Sequence, residues 1–234
     1  MMKPSKQTGI SGRPILHNPH ELKDDTLANE LALLALGDFE PLNIVIDSKL
    51  YKQEIKKYQD DWVPYLPRED RTNNRFGLSL YTMPGDDHRS VPSLAEVVAR
   101  ENRKVSELEF NQPTEMVEHM TSLQPLLSLF PTLGRSFIVR SDKGGYFVPH
   151  RDHPSIVRET FRVICFLTNV GPYDYDWWMD ERKCPIEPFR CYYVNTRKVH
   201  RTISWKDNSQ HLILNVPMDA LNVYTVLSHY KNGH

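Results

Sequence analysis

The sequence has no apolar run near the roughly 20 residues that cross a bilayer, and its net charge is only −1, with Lys and Arg scattered along the chain. The first absence excludes a membrane-spanning helix. The second removes the basic footprint by which nucleic acids and anionic lipid surfaces are recognised. Cysteine is scarce as well. Cys165, Cys184 and Cys191 make an odd count without a CxxC pair, the pattern of reduced thiols in a cytoplasmic protein rather than of a disulfide framework or a zinc site. The opening MMKPSKQTGISGRP lacks the apolar segment of a secretory signal. There is no internal repeat and no low-complexity tract.

What is present suits one soluble domain. The 234 residues are 39 % hydrophobic and 25 % charged, enough for one sizeable core and too few for two large ones. Residues 1–19, rich in Ser, Gly, Pro and Lys, are expected to be a flexible arm, leaving 20–234 as a single domain. Leu27, Leu31 and Leu34 recur at helical spacing, with Gly37 as a stop. PLNIVID (41–47) has a strand's composition, and DSKLYKQEIKKYQ an amphipathic helix's, entered through an Asp or Ser cap. RFGLSLYTMPG (75–85) is a second strand, and two helical stretches follow near 93–103 and 114–123. From SFIVRS onward the pattern changes to short β-branched and aromatic runs separated by Gly, Pro, Asp and Asn: GYFVPHRD, FRVICFLTNV, FRCYYVNT, VHRTISW and HLILNVP. That frequency of strands predicts an antiparallel sandwich or barrel, closed by a helix over LNVYTVLSHY. The predicted fold class is α+β with a mainly β core and a helical amino-terminal half packed on it.

One constellation carries chemistry. In YFVPHRD a strand's period of two puts His150 and Asp152 on one face, so both can reach one metal ion. His200, between the strand patterns Phe189 to Val194 and Thr202 to Trp205, is the third candidate ligand. Two His and one carboxylate on one face of an octahedron are the facial triad of Fe(II) oxygenases, with three positions left for cosubstrate and O2. Against it stands a surface hydrogen-bonded His150–Asp152 pair with His200 unrelated. The Gly turn Lys143-Gly144-Gly145 and the surrounding strands favour the metal.

FIVRSDKGGYFVPHRD, with its strand, Gly turn, strand and Pro-His, resembles the aspartyl/asparaginyl β-hydroxylase-like branch of Fe(II)/2-oxoglutarate oxygenases. RVICFL is similar to that branch's Arg-bearing strand, CYYVNTRKVHRTISW to the strand bringing in the distal His, and HLILNVP to its closing strand. The match spans about 75–217. It implies a double-stranded β-helix (a jelly roll, cupin-like), bound Fe(II), 2-oxoglutarate and O2 as cosubstrates, and hydroxylation of a small-molecule or peptide substrate. It also implies a 2-oxoglutarate contact at Arg162. Two departures stand out. Asp152 completes a triad that the best-known member of the branch lacks, and His211 stands near the start of the last strand, where an Arg is expected for the outer carboxylate. Arg162 or His211 is thus expected to grip that carboxylate, with Arg140 a third candidate. Among the other residues, His88 is expected in a solvated loop, His153 on the surface, His119 in a structural role, and Trp177-Trp178 in packing. Asn195 and Thr196 are candidates to brace the His200 loop. The competing classes are a non-catalytic metal-binding jelly roll and a cupin isomerase or hydrolase; the latter favours further His or Glu ligands close in sequence, and the HxD segment has no second His on its own face and no nearby Glu.

Overall fold

Strand alternation decides the architecture. The computed structural model describes residues 25–66 and 74–230; the arm expected over 1–19 lies outside the described residues. The chain runs α1 (Thr26–Leu34), β1 (Phe39–Val45), α2 (Ser48–Glu54), β2 (Val63–Pro64), β3 (Arg75–Thr82), α3 (Leu94–Glu101), β4 (Gln112–Pro113), α4 (Glu115–His119) and α5 (Gln124–Leu127). It continues through β5 (Ser136–Ser141), β6 (Tyr146–His150), α6 (Pro154–Glu159), β7 (Thr160–Phe166), β8 (Tyr175–Met179) and β9 (Arg182–Lys183). The last elements are β10 (Arg190–Val194), β11 (His200–Ser204), β12 (Ser209–Pro217) and α7 (Ala220–His229).

Two antiparallel sheets result. The larger has the order β1-β10-β7-β12-β5-β3-β2 with β4 on β3, and the smaller β6-β11-β8-β9. From β5 to β12 the chain passes back and forth between them, interrupted only by the β8–β9 hairpin, which is jelly-roll winding. The strands β5, β7, β10 and β12 of the larger sheet are buried on both faces. Ile138, Val163, Cys165, Cys191, Leu212 and Leu214 face the helices, packing with Tyr51, Met116, Met120 and Val226. Their alternate neighbours Ile164, Phe166, Tyr192 and Val194 meet Tyr175, Trp177 and Met179 of the smaller sheet. A fully buried Leu or Val contributes about 1.5–3 kcal/mol, so a one-residue slip of β12 would turn Leu212, Leu214 and Val216 away from the helices.

The first half is mixed rather than simply helical. β1 pairs with β10, and β3 with β5, so FEPLNIV and RFGLSLYT extend the large sheet at both sides. Their backbone groups complete ladders that the sandwich alone would leave open. The helices cover the outer face. Asp47 caps α2 as its sequence predicts, accepting from the Lys49 and Leu50 amides at 2.9 and 3.0 Å. Among the described residues no helix is long and apolar enough to cross a membrane.

The β5–β6 turn aims the strand that carries His150. Gly144 has φ +81°, and a Cβ on Gly145 would stand 2.7 Å from the Asn74 carbonyl oxygen and 2.9 Å from that of Asp142. The Gly145 carbonyl accepts from the Ser204 amide at 2.8 Å, tying the turn to β11. Gly145→Ala is therefore expected to cost about 1–3 kcal/mol, since the obstruction is backbone, measured as a lower urea midpoint.

Candidate metal centre

β6 and β11 pair with His150 opposite His200, and their ring centroids are 4.2 Å apart. β6 ends at His150, so Asp152 lies beyond the strand. Its position comes from a neighbouring loop instead, where the Asp152 amide donates to the Thr196 carbonyl at 3.0 Å. Asn195 anchors that loop through its Nδ2, which donates to Asp38 Oδ1 at 2.8 Å. Both residues thus brace the site. One ligand atom from each of His150, Asp152 and His200 lies within 4.8 Å of the other two, and among the described residues no other such group of three forms.

Hydrogen bonding prepares the nitrogens. His150 Nδ1 is 2.9 Å from the Val148 carbonyl, and His200 Nδ1 is 3.0 Å from the Lys198 carbonyl. A carbonyl only accepts, so both Nδ1 atoms carry the proton and both Nε2 atoms offer a lone pair. His150 Nε2 lies 3.9 Å from Asp152 Oδ1. Burial favours the neutral acid at Asp152, but Arg162, His200, Thr196 and His150 outweigh it and hold the carboxyl below its usual range. Burial, then the neighbouring His150, pushes His200 down. An ionised carboxylate and neutral imidazoles are the forms that bind metal.

The structure separates the three residues expected at the cosubstrate. Arg162 is on the inward face of β7, but its Nη2 is 3.1 Å from Asp152 Oδ2 and its Nη1 donates to Thr160 Oγ1 at 3.1 Å. Its charge is committed to the candidate metal ligand. Outer partners of this kind are worth about 10–100-fold in metal affinity, so Arg162→Gln is expected to weaken Co(II) binding by about that factor in an anaerobic titration. His211 also faces inward, among Phe166, Tyr175 and Trp177. Arg140 does not. Alternation along β5 turns it to the outer face, over Phe76 and Trp62 at 4.3 and 5.1 Å, away from the pocket.

Complete burial, then the nearby Arg75 charge, pushes the His211 pKa down to about 3, so the ring is uncharged. An unfolded His has a pKa near 6.5. The unfolded chain therefore binds the extra proton below that value while the folded chain does not, and stability drops as pH falls from about 6.5 towards 3. Between pH 7.5 and 5 the loss from this residue is about 2 kcal/mol. His211→Gln is expected to flatten the pH dependence of the urea-unfolding free energy by that amount.

The pocket comprises about 530 Å³ counting its open mouth, and it is lined by the triad together with Arg162, Thr202, His211, Arg135 and Asn215. Arg135 and Arg75 escaped the sequence reading. Each stands at the head of an apolar strand pattern, GRSFIV and RFGLSL, as Arg162 does in FRVICFL. Of the tryptophan pair, Trp177 faces inward and stacks parallel to His200 at 6.0 Å, while Trp178 faces outward beneath Arg201 at 4.8 Å. Packing and pocket lining thus coincide at Trp177. His88, expected in a solvated loop, is buried instead, its two ring nitrogens 3.2 Å from Asp61 and 3.5 Å from Glu115. Those carboxylates lie on different nitrogens and do not converge on one point. His153 caps α6, and His119 Nδ1 is 3.1 Å from the Tyr58 hydroxyl.

Fold and site together define a two-sheet jelly roll with a candidate His-Asp-His metal centre between its sheets. No protein-family model and no curated protein matches the chain. Among solved structures it is similar to a Pseudomonas putida prolyl-4-hydroxylase, at 13 % identity and TM-score 0.46, covering 82 % of this chain and 100 % of that one. A Trichoplax adhaerens prolyl hydroxylase in complex with a hypoxia-inducible-factor oxygen-degradation-domain peptide gives 12 % identity and TM-score 0.46, covering 88 % and 94 %. The collagen prolyl hydroxylase of Paramecium bursaria Chlorella virus-1, in complex with 2-oxoglutarate, gives 10 % identity and TM-score 0.41, covering 77 % and 96 %. At these scores the likeness is one of outline and assigns no residue a role.

Proposed function

We propose that this chain is a cytoplasmic Fe(II)- and 2-oxoglutarate-dependent dioxygenase whose single domain, 20–234, hydroxylates a C–H bond of an amino acid or a peptide side chain. One observation carries the reading. Two Nε2 atoms with fixed tautomers and one ionised carboxylate converge on one side of an open pocket, the donor set that leaves three adjacent positions on Fe(II) for a bidentate 2-oxo acid and O2. A closed structural zinc site takes four protein ligands, and among the described residues three groups meet here.

His150, Asp152 and His200 would hold the metal. The bound group supplies the oxidation, in which 2-oxoglutarate, O2 and a C–H bond become succinate, CO2 and a C–OH group. The protein's part is positioning and electrostatics. Val148 and Lys198 hold the imidazoles in the ligating tautomer, Arg162 and Thr196 orient and ionise Asp152, and Trp177 and Phe147 wall the site from water.

Anaerobic addition of Fe(II) and 2-oxoglutarate is expected to produce the visible charge-transfer band of a chelated 2-oxo acid, and admission of O2 to release succinate. Tightly held Zn(II) without any response to 2-oxoglutarate would point to a non-catalytic or isomerase-type jelly roll. A screen of free amino acids and peptides for stimulated succinate release then identifies the substrate.

A further inference from the structure

The turn between β10 and β11, Asn195-Thr196-Arg197-Lys198, holds two of the three candidate ligands at once. The Thr196 carbonyl accepts from the Asp152 amide at 3.0 Å, and the Lys198 carbonyl accepts from His200 Nδ1 at 3.0 Å. These carbonyls are two residues apart, so a shift of the turn reaches the carboxylate and the imidazole together. His150 differs. It is the last residue of β6, and its Nδ1 is tied to Val148 of its own strand at 2.9 Å. The turn itself is closed by the Lys198 amide on the Asn195 carbonyl at 3.1 Å, and Asn195 Oδ1 accepts from the Arg197 amide at 3.3 Å.

The anchors of that turn come from ahead of the winding strands β5 to β12. Asp38, the residue before β1, holds Asn195 twice: its carbonyl accepts from the Asn195 amide and its Oδ1 from Asn195 Nδ2, each at 2.8 Å. Arg197 makes a second tie. Its Nη1 donates to Glu30 Oε1 of α1, and its Nη2 to the Val157 carbonyl of α6 at 2.6 Å. α6 starts at Pro154, two residues past Asp152, so the same turn also holds the chain that leaves Asp152. Ligand sets are productive only within about 0.5 Å of their geometry. Asp152, past the end of its strand, takes that precision from the turn rather than from a ladder. We propose that Asp38 and Glu30 are positioning residues of the metal centre, setting Asp152 against His200 through the 195–198 turn. This role rests on the metal reading above. Both act through Asn195 and Arg197 rather than on the metal, and they make α1 and the start of β1 part of the site's framework.

The test is anaerobic Co(II) titration, with the paramagnetically shifted imidazole N–H signals of the Co(II)-loaded protein as a second readout. Asp38→Ala is expected to weaken Co(II) binding by up to about tenfold, the low end for an outer partner, and to shift the His200 Nδ1–H signal more than that of His150. Asp38→Asn keeps an acceptor and should restore most of the affinity. Asp38→Ala with Asn195→Ala should lose no more than the larger single change, because both remove the same bond. Glu30→Ala should act in the same direction and serves if Asp38→Ala does not fold. Lower urea midpoints in Asp38→Ala and Glu30→Ala, with Co(II) affinity and both imidazole signals as in wild type, overturn the assignment and leave the metal reading intact. Failure of wild type to bind Co(II) sinks both.

Discussion

His150→Ala is expected to reduce 2-oxoglutarate turnover to background and to cost more in Fe(II) affinity than the roughly 100-fold that losing an outer partner costs. It should do so with little loss of stability. The His150 side chain is 35 % exposed, and substitutions at such positions change stability by about 0.5 kcal/mol. Asp152→Ala should abolish binding and turnover equally, but it does not leave the fold untouched. It strands Arg162, whose side chain is only 6 % exposed and whose Nη2 is 3.1 Å from the lost oxygen. Breaking a buried pair on one side costs about 3–5 kcal/mol, and the partial exposure of Asp152 places this case at or below the lower end. Asp152→Ala with Arg162→Met, which removes both charges, should regain much of that stability and none of the metal affinity. Isothermal titration with Co(II) and urea unfolding separate the two effects. Uncoupled 2-oxoglutarate decay surviving in both single variants would falsify the triad.

The candidate site was legible because two of its ligands are local. The spacing in HRD survives even though Asp152 lies past the end of β6, because the Thr196 loop holds it where the strand no longer does. His200 could be chosen only by its flanking strands, and the register that sets it opposite His150 is a non-local fact. The arginines show where such reasoning stops. Arg75, Arg135, Arg140 and Arg162 all neighbour apolar strand runs. When both faces of a strand are buried, however, alternation carries no polar marker to say which face is inward. Arg140 and Val139 differ by one residue and face opposite layers. The strands β1 and β3 were readable as strands, but their attachment to β10 and β5 depends on open ladder edges that no local pattern announces. His88 illustrates the same limit, since its DDHRS context is that of a loop, and the residues that meet it, Tyr58, Asp61 and Glu115, come from distant parts of the sequence.

The buried network that joins the first half of the chain to the jelly roll should be the largest single source of lost stability. Glu107 is fully buried, and its Oε2 accepts from Arg135 Nε at 3.0 Å and from Asn215 Nδ2 at 2.6 Å. Its carbonyl accepts from the Arg135 amide at 3.1 Å, and the Gly134 amide donates to the Asn215 carbonyl at 2.8 Å. Burial works against the charge on Arg135, but the Glu107 carboxylate outweighs it and raises the pKa of the guanidinium, so Arg135 stays charged. Glu107→Ala leaves that cation in the core with only neutral partners, the Pro92 carbonyl and the Tyr65 hydroxyl, at a cost of about 3–5 kcal/mol. Glu107→Gln keeps the shape and an acceptor, and it should cost less. In Glu107→Leu with Arg135→Met both charges leave together, so the double variant should lose less than the sum of the single changes, with a coupling of about 1–3 kcal/mol. Urea unfolding of the four proteins of that cycle measures it, and single-variant losses below about 1 kcal/mol would show that the pair does not hold the halves together. Arg135 and Asn215 also line the pocket that contains the triad, so a loosened network should reach the site too. Glu107→Gln is expected to raise the substrate concentration needed for half-maximal succinate release while leaving Co(II) affinity at the wild-type value.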